Sequence, residues 1–390
     1  MKEFSPPKRL QGIEKSVIRQ LFDRARPGSI NLGLGEPDLP TPDVIRRAAV
    51  RVITEEQNGY TTHAGLLSLR ERVAADYPQT KATADKVIIT AGSQEALYLA
   101  LLTLVDEGDE VLLPNPGFVA YPTIVRMAGG VPTFYCLPAA REFEFDADEF
   151  RRCLSPRTKV VVCISPSNPT GRTLSRKDFV AIAESLADHD AYLISDEIYR
   201  ELYYTVERPD SASSFYERTI VIGGLSKSMS MTGWRLGWIC GDEAVIRSAL
   251  VLHGYVTTCA SSVSQKAGLA AWTHEAAEAR ESFRNTFRAR RDHLLTLIAA
   301  ELRVRAVTPD GAFYTMVDIS AYGPSMRVAE RLLESGVITV PGSAFGSEGE
   351  GFLRVSFCAN EDALAEGVQR MKMGLDGLME DYRRDSKAMK

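Results

Sequence analysis

Several classes of protein are excluded by what this 390-residue sequence lacks. Its six cysteines, Cys136, Cys153, Cys163, Cys240, Cys259 and Cys358, are scattered, and no two are spaced CxxC. Neither a structural zinc nor a disulfide framework is indicated, and reduced thiols are expected. The five histidines include no HExxH pair, so no metal site is expected. No stretch reaches the ~18 consecutive apolar residues of a spanning helix. Residues 1–12 are polar and proline-containing where a signal peptide needs an apolar core, so a cytoplasmic location without a membrane partner is expected. Neither sign of charge dominates: 46 Lys and Arg face 51 Asp and Glu, a net −5, and the absence of a basic run argues against a nucleic-acid partner.

What is present is the composition of a soluble globular protein, 45% hydrophobic and 25% charged, in a chain longer than one ordinary domain. Short β-branched runs at 87–90, 110–113, 131–137, 159–164, 191–195, 219–222 and 236–240 alternate with amphipathic stretches at 94–105, 118–127, 177–187 and 244–252. That alternation predicts an α/β domain with a mostly parallel sheet. After Trp272 a long charged helical pattern from 275 to about 301 precedes strands at 313–317, 338–340 and 353–357, which reads as a smaller α+β domain. The expected division is an N-terminal segment, 1–45, packing on the small domain or on a partner; a large α/β domain, 46–285; and a small domain, 286–390. No internal repeat or low-complexity linker interrupts it.

The segment 223–237, GGLSKSMSMTGWRLG, follows the strand 219–222 and places Lys227 beyond a strand's carboxyl end, where open α/β sheets bind ligands. It lacks the GxxxxGK[ST] of a nucleotide phosphate loop. A lysine set among Gly, Ser, Met and Trp rather than among charges suits a Schiff-base amine. Two further strand ends carry polar groups: Asp196, Glu197 and Tyr199 in ISDEIY, and Asn168 in SPSNPTG. Each alone reads more often as a helix cap or a turn than as a functional group, and their joint occurrence is more specific. Gly33-Leu34-Gly35 is followed by Glu36-Pro37-Asp38, which would oppose a pyrophosphate and excludes a nicotinamide-dependent dehydrogenase.

These segments, with LGLGEPDLPTP (32–42), YTTHAGLLSLRE (60–71), ITAGSQEAL (89–97), TGWRLG (232–237) and FLRVSF (352–357), stand in an order that resembles the fold type I pyridoxal-phosphate enzymes. The resemblance is to the class I/II aminotransferases related to aspartate and aromatic aminotransferases, and it covers nearly the whole chain. It implies a mostly parallel seven-stranded sheet in a large domain that binds pyridoxal 5′-phosphate, plus a smaller α+β domain.

The resemblance also implies roles. Lys227 would bind the cofactor as a Schiff base and then move the proton of the substrate's α-carbon. Asp196 would pair with the pyridine nitrogen, and Tyr199 and Asn168 would hydrogen-bond the 3′-oxygen. Backbone N–H groups of Gly92, Ser93 and Gln94 at a helix start, with Arg235 and Ser226, would hold the phosphate. Gly224 departs from the many relatives that carry a phosphate-binding serine there. Phe118 matches an aromatic ring laid on the pyridine, and Arg354 with Gly35 and Asn168 matches a clamp for the substrate α-carboxylate. Tyr60 matches a tyrosine reaching the neighbouring subunit's phosphate, which implies a homodimer with shared active sites.

The activity implied is transfer of an amino group from an L-amino acid to a 2-oxo acid such as 2-oxoglutarate, with ping-pong kinetics. Some aspartate-specific relatives carry lysine at the position of Ser93, so an apolar or aromatic donor is preferred and aspartate stays open. The side-chain pocket is expected from residues 13–18, Phe118 and the partner's Tyr60. A carbon–sulfur β-lyase on the same scaffold would use the same Lys227, Asp196 and Tyr199. A transcription regulator would need a helix-turn-helix domain, which the roughly 40 residues before the α/β pattern are too few to hold.

Overall fold

A computed structural model describes residues 4–7, 10–78, 82–205 and 207–388. Residues 1–3, 8, 9, 389 and 390, parts of the expected terminal segments, lie outside the described residues. In chain order the strands are β1 (Ile30–Asn31), β2 (Val87–Thr90), β3 (Glu110–Asn115), β4 (Val131–Cys136), β5 (Thr158–Ile164), β6 (Tyr192–Asp196), β7 (Thr219–Gly224), β8 (Gly237–Cys240), β9 (Tyr314–Asp318), β10 (Val337–Ile338), β11 (Val340–Pro341) and β12 (Phe352–Ser356).

The run Val160-Val161-Val162-Cys163-Ile164 shows why the central sheet forms. Its alternate residues enter different cores: Val160, Val162 and Ile164 pack with apolar residues of the helix Ser93–Leu104. Val161 and Cys163 pack with Phe150, Phe179 and Ile182 on the helices Ala147–Cys153 and Arg176–Leu186. A strand buried on both faces reads as a continuous apolar run, and each aliphatic side chain so buried contributes about 1.5–3 kcal/mol. Several of the helices start at side-chain caps. Ser175 and Asp178 form a capping box for Arg176–Leu186, Asp242 caps Glu243–Val256, and Thr273 caps His274–Leu297.

The large sheet has the order β2-β8-β7-β6-β5-β3-β4. Strand β8 is antiparallel to both β2 and β7, and the other pairs are parallel. The ends of β2, β3, β5, β6 and β7 therefore share one edge with the beginning of β8. A second sheet, β11-β12-β9, is antiparallel with β12 in its centre.

The run 338–340, expected as one strand, is divided. Val337 and Ile338 pair in parallel with Ile30 and Asn31 of β1, whereas Val340 and Pro341 pair with Arg354 and Leu353 of β12. The chain changes neighbours at Thr339, and periodicity along a sequence carries no record of which neighbour a strand has. No helix among the described residues is long and apolar enough to cross a membrane.

Candidate active site

The shared strand edge gathers side chains far apart in sequence. Asp196 ends β6, in register between Ile164 of β5 and Ile222 of β7. Asn168 follows β5, Lys227 follows β7, Ser93 and Gln94 open the helix after β2, and Phe118 follows β3. Arg235 precedes β8, so the one antiparallel strand still delivers it to this edge. From the smaller sheet come Arg354 on β12 and Tyr314 on β9, and Gly35 follows β1.

All of these residues except Ile222, with Tyr199 and Ser226, line one cavity of about 560 Å³. Gly92 is the residue preceding the helix Ser93–Leu104, at φ +89°, and a Cβ there would strike the Arg235 guanidinium. The helix start has no side-chain cap, so its N–H groups remain available beside that guanidinium. Arg235 itself adopts φ +54°, a strained conformation of the kind concentrated at functional sites. Its guanidinium donates to the carbonyls of Thr232 and Ala91.

Lys227 Nζ donates to the carbonyl of Gly35 at 2.7 Å, and burial pushes its ammonium below the usual lysine range. Asp196 is 6% exposed. Its Oδ2 accepts from the Tyr121 hydroxyl at 2.9 Å and its Oδ1 from the N–H of Ile198 at 3.2 Å. Both partners are neutral, and burial pushes its carboxyl up to about 6. Tyr199 and Tyr314 share a hydrogen bond of 3.0 Å, and burial holds both phenols above the ordinary range.

Arg354, 2% exposed, donates to Asn168 Oδ1 at 2.8 Å and to the carbonyl of Gly33. Its guanidinium lies against the rings of Tyr314 and Phe345, 4.4 and 4.8 Å from their centroids. Gly35 is required beside it, because a Cβ would fall within the Tyr314 hydroxyl.

Two expected positions lie apart. Tyr60 is 88% exposed and does not line the cavity. Gly224 is buried, and a Cβ there would meet the Leu236 carbonyl at 3.0 Å and Ile198 Cδ1 at 3.1 Å, so the position has little room for the serine of relatives.

The sequence reading missed Tyr121 and Tyr314. Tyr121 follows Phe118 by three residues, and their rings meet edge to face at 5.5 Å. Its position in an apolar helix start gave no signal beyond a core aromatic. Arg19 and Phe22, on the helix Val17–Asp23, also line the cavity beyond the expected 13–18. The cavity thus combines a desolvated amine, a buried carboxylate without a cationic hydrogen-bond partner, and guanidinium groups from two sheets.

The family model of aminotransferase class I and II matches residues 27–371. A probable aspartate aminotransferase of Methanocaldococcus jannaschii is 34% identical over 373 residues, covering 93% of this chain and 98% of the relative. An aromatic-amino-acid aminotransferase 2 of Thermococcus litoralis is 35% identical over 376 residues, covering 93% and 96%. The solved structure of aspartate aminotransferase from Thermus thermophilus with maleate matches with a TM-score of 0.90 at 33% identity, over 95% of this chain and 100% of that one. Likeness of this extent in both sequence and fold places the chain in the class I and II aminotransferase family, as an enzyme that uses pyridoxal 5′-phosphate.

Proposed function

We propose that the enzyme takes the amino group of an apolar or aromatic L-amino acid and passes it to a dicarboxylic 2-oxo acid such as 2-oxoglutarate, in two half-reactions sharing one cavity. The observation that carries this reading is the meeting of Lys227, Asp196, Arg235 and Arg354 on that cavity.

The residues fit the cofactor at both of its ends. Asp196 is a buried carboxylate whose hydrogen-bond partners are neutral, which a protonated ring nitrogen would complement. The uncapped helix start at Gly92, Ser93 and Gln94, beside Arg235 and Ser226, is a seat for a phosphate. Bound there, pyridoxal 5′-phosphate supplies an aldehyde for the amino group and a ring that accepts the electron pair left when the α-carbon loses its proton.

The protein's own groups do the rest. Lys227 Nζ, its proton loosened by burial, anchors the cofactor and carries the α-proton. Tyr199 and Asn168, on the same cavity, would hydrogen-bond the cofactor's 3′-oxygen, and Phe118 would offer its ring an apolar surface. Arg354, with Asn168 and Gly35, holds the α-carboxylate in its planar fork. Ile18, Phe22, Leu34 and Val119 form apolar wall for a donor side chain. Arg19 has no ion-pair partner among the described residues and offers a cation for the far carboxylate of the acceptor. The same cation leaves aspartate, named for two of the relatives, as a possible donor.

A homodimer belongs to this reading. Tyr60, Val251, Tyr255 and Val256 are between 54% and 91% exposed, and the helix Glu243–Val256 lies at Gly254 against His63. An apolar surface of this kind beside Tyr60 favours a second copy of the chain, whose active site would receive Tyr60.

Absorbance of the loaded enzyme, followed with single amino acids and no acceptor, tests the proposal. The visible band should be lost with apolar and aromatic amino acids and restored by 2-oxoglutarate, and Lys227→Ala should abolish the response. Accumulation of pyruvate and ammonia would instead mark a β-lyase.

A further inference from the structure

Glu95 follows Ser93 and Gln94 on the helix Ser93–Leu104, yet it does not line the cavity. Its carboxylate turns back on the preceding loop and accepts from the N–H of Ala91. It also meets His253 Nδ1 at 2.9 Å and accepts from the Thr257 hydroxyl. His253 is fully buried on the helix Glu243–Val256, and Thr257 ends that helix. Burial pushes Glu95 up, but the bonds from His253, Thr257 and Ala91 outweigh it and hold its carboxyl below the usual range. An ionised carboxylate can only accept, so His253 Nδ1 carries the proton of that bond.

The peptide groups on either side of Ala91 are thereby held from two directions. Glu95 takes the Ala91 N–H, while the Ala91 carbonyl accepts from Arg235 Nη2 at 3.2 Å. The next residue is Gly92, at φ +89° against the same guanidinium. The loop that sets the aim of the helix-start N–H groups is thus tied to Arg235 on one side and to a buried Glu–His pair on the other.

We propose that Glu95 and His253 are positioning residues for the phosphate of the cofactor, fixing the Ala91–Gly92 turn so that the N–H groups of the helix start and Arg235 converge on one point. This rests on the reading of that helix start as the phosphate seat. Neither residue touches the ligand. Each acts through a backbone whose misplacement by a fraction of an ångström weakens charge-assisted bonds.

The test measures binding of pyridoxal 5′-phosphate and of pyridoxal, which lacks the phosphate, to the cofactor-free protein. His253→Leu should weaken pyridoxal 5′-phosphate roughly 10- to 100-fold, the cost of loosening a buried charged network, and leave pyridoxal within about twofold. His253→Asn, which can return an N–H near Nδ1, should recover most of the loss. Thr257→Val, which removes one donor from the edge of the network, should give a smaller loss with the same selectivity and serves if His253→Leu does not fold. Equal weakening of both ligands, or no change in either, overturns the proposal. If the unaltered protein binds the two equally and Arg235→Ala changes nothing, the phosphate seat itself is wrong, a different failure from that of the Glu95–His253 pair.

Discussion

Replacing Tyr121 with Phe tests how Asp196 is kept ionised. The change removes one hydroxyl and keeps the ring that packs edge to face on Phe118. What disappears is the 2.9 Å bond to Asp196 Oδ2, one of two hydrogen bonds opposing the burial that already pushes this carboxyl to about 6. A hydrogen bond to a charged group is worth about 1.5–3 kcal/mol, and at about 1.4 kcal/mol per pKa unit the carboxyl should rise a further ~1–2 units. Near pH 7 the ionised fraction then falls from about nine-tenths to between about one-half and one-tenth. Since the proposed partner is a protonated ring nitrogen, affinity for pyridoxal 5′-phosphate requires the ionised form. It should be full at pH values above the carboxyl's pKa and fall as pH drops through it. Titrating cofactor-free protein with pyridoxal 5′-phosphate across pH should show the acid limb of the Tyr121→Phe curve displaced upward by ~1–2 units, with about two- to tenfold weaker binding near pH 7. The cofactor's own groups titrate identically with both proteins, so the displacement between curves is the reading. Coincident curves would refute the argument that Tyr121 supports the charge of Asp196.

Asp196 should also govern the stability of the cofactor-free protein. A folded-state pKa raised to about 6 means a proton held more tightly by the folded chain, so its contribution is full at low pH and is lost as pH rises from about 4 to about 6, by about 3 kcal/mol. Denaturant unfolding should show that fall in the unaltered protein and not in Asp196→Asn; parallel profiles would contradict it. Arg354→Lys should raise the donor KM about 10- to 100-fold by losing one charge-assisted bond of the fork, without altering the bound cofactor's spectrum. Tyr255→Asp, at a side chain 91% exposed on the proposed dimer face, should shift the sedimenting species toward monomer with loss of turnover; an unchanged dimer would place the interface elsewhere.

The large sheet was readable from sequence because each central strand is buried on both faces, which leaves an unbroken apolar run such as 160–164. The cavity was readable in part because its residues cluster at strand ends, where loops carry chemistry rather than core. What escaped were contacts made by register and packing between distant segments. Tyr121 lies 75 residues from Asp196, Tyr314 lies 115 from Tyr199, and His253 lies 158 from Glu95. Each of these reads locally as an ordinary core residue, and only the sheet order makes it a partner. The division of 337–341 between two sheets escaped for the same reason.

Three hydrogen bonds described above run from groups at the large sheet's edge to groups on or beside the smaller strands: Lys227 to Gly35, Arg354 to Asn168, and Tyr199 to Tyr314. Each engages a group to which the proposed reaction assigns a ligand atom. If these groups hold the ligands as proposed, recognition is an exchange, in which cofactor and substrate compete with the protein for hydrogen-bonding groups it already employs. Net affinity would then follow the difference between bonds surrendered and bonds returned rather than the strength of the individual contacts. Discrimination would follow from the same balance: an amine without a carboxylate leaves the Arg354–Asn168 bond in place and gains nothing from the guanidinium, so it binds without the contribution that an amino acid draws from it.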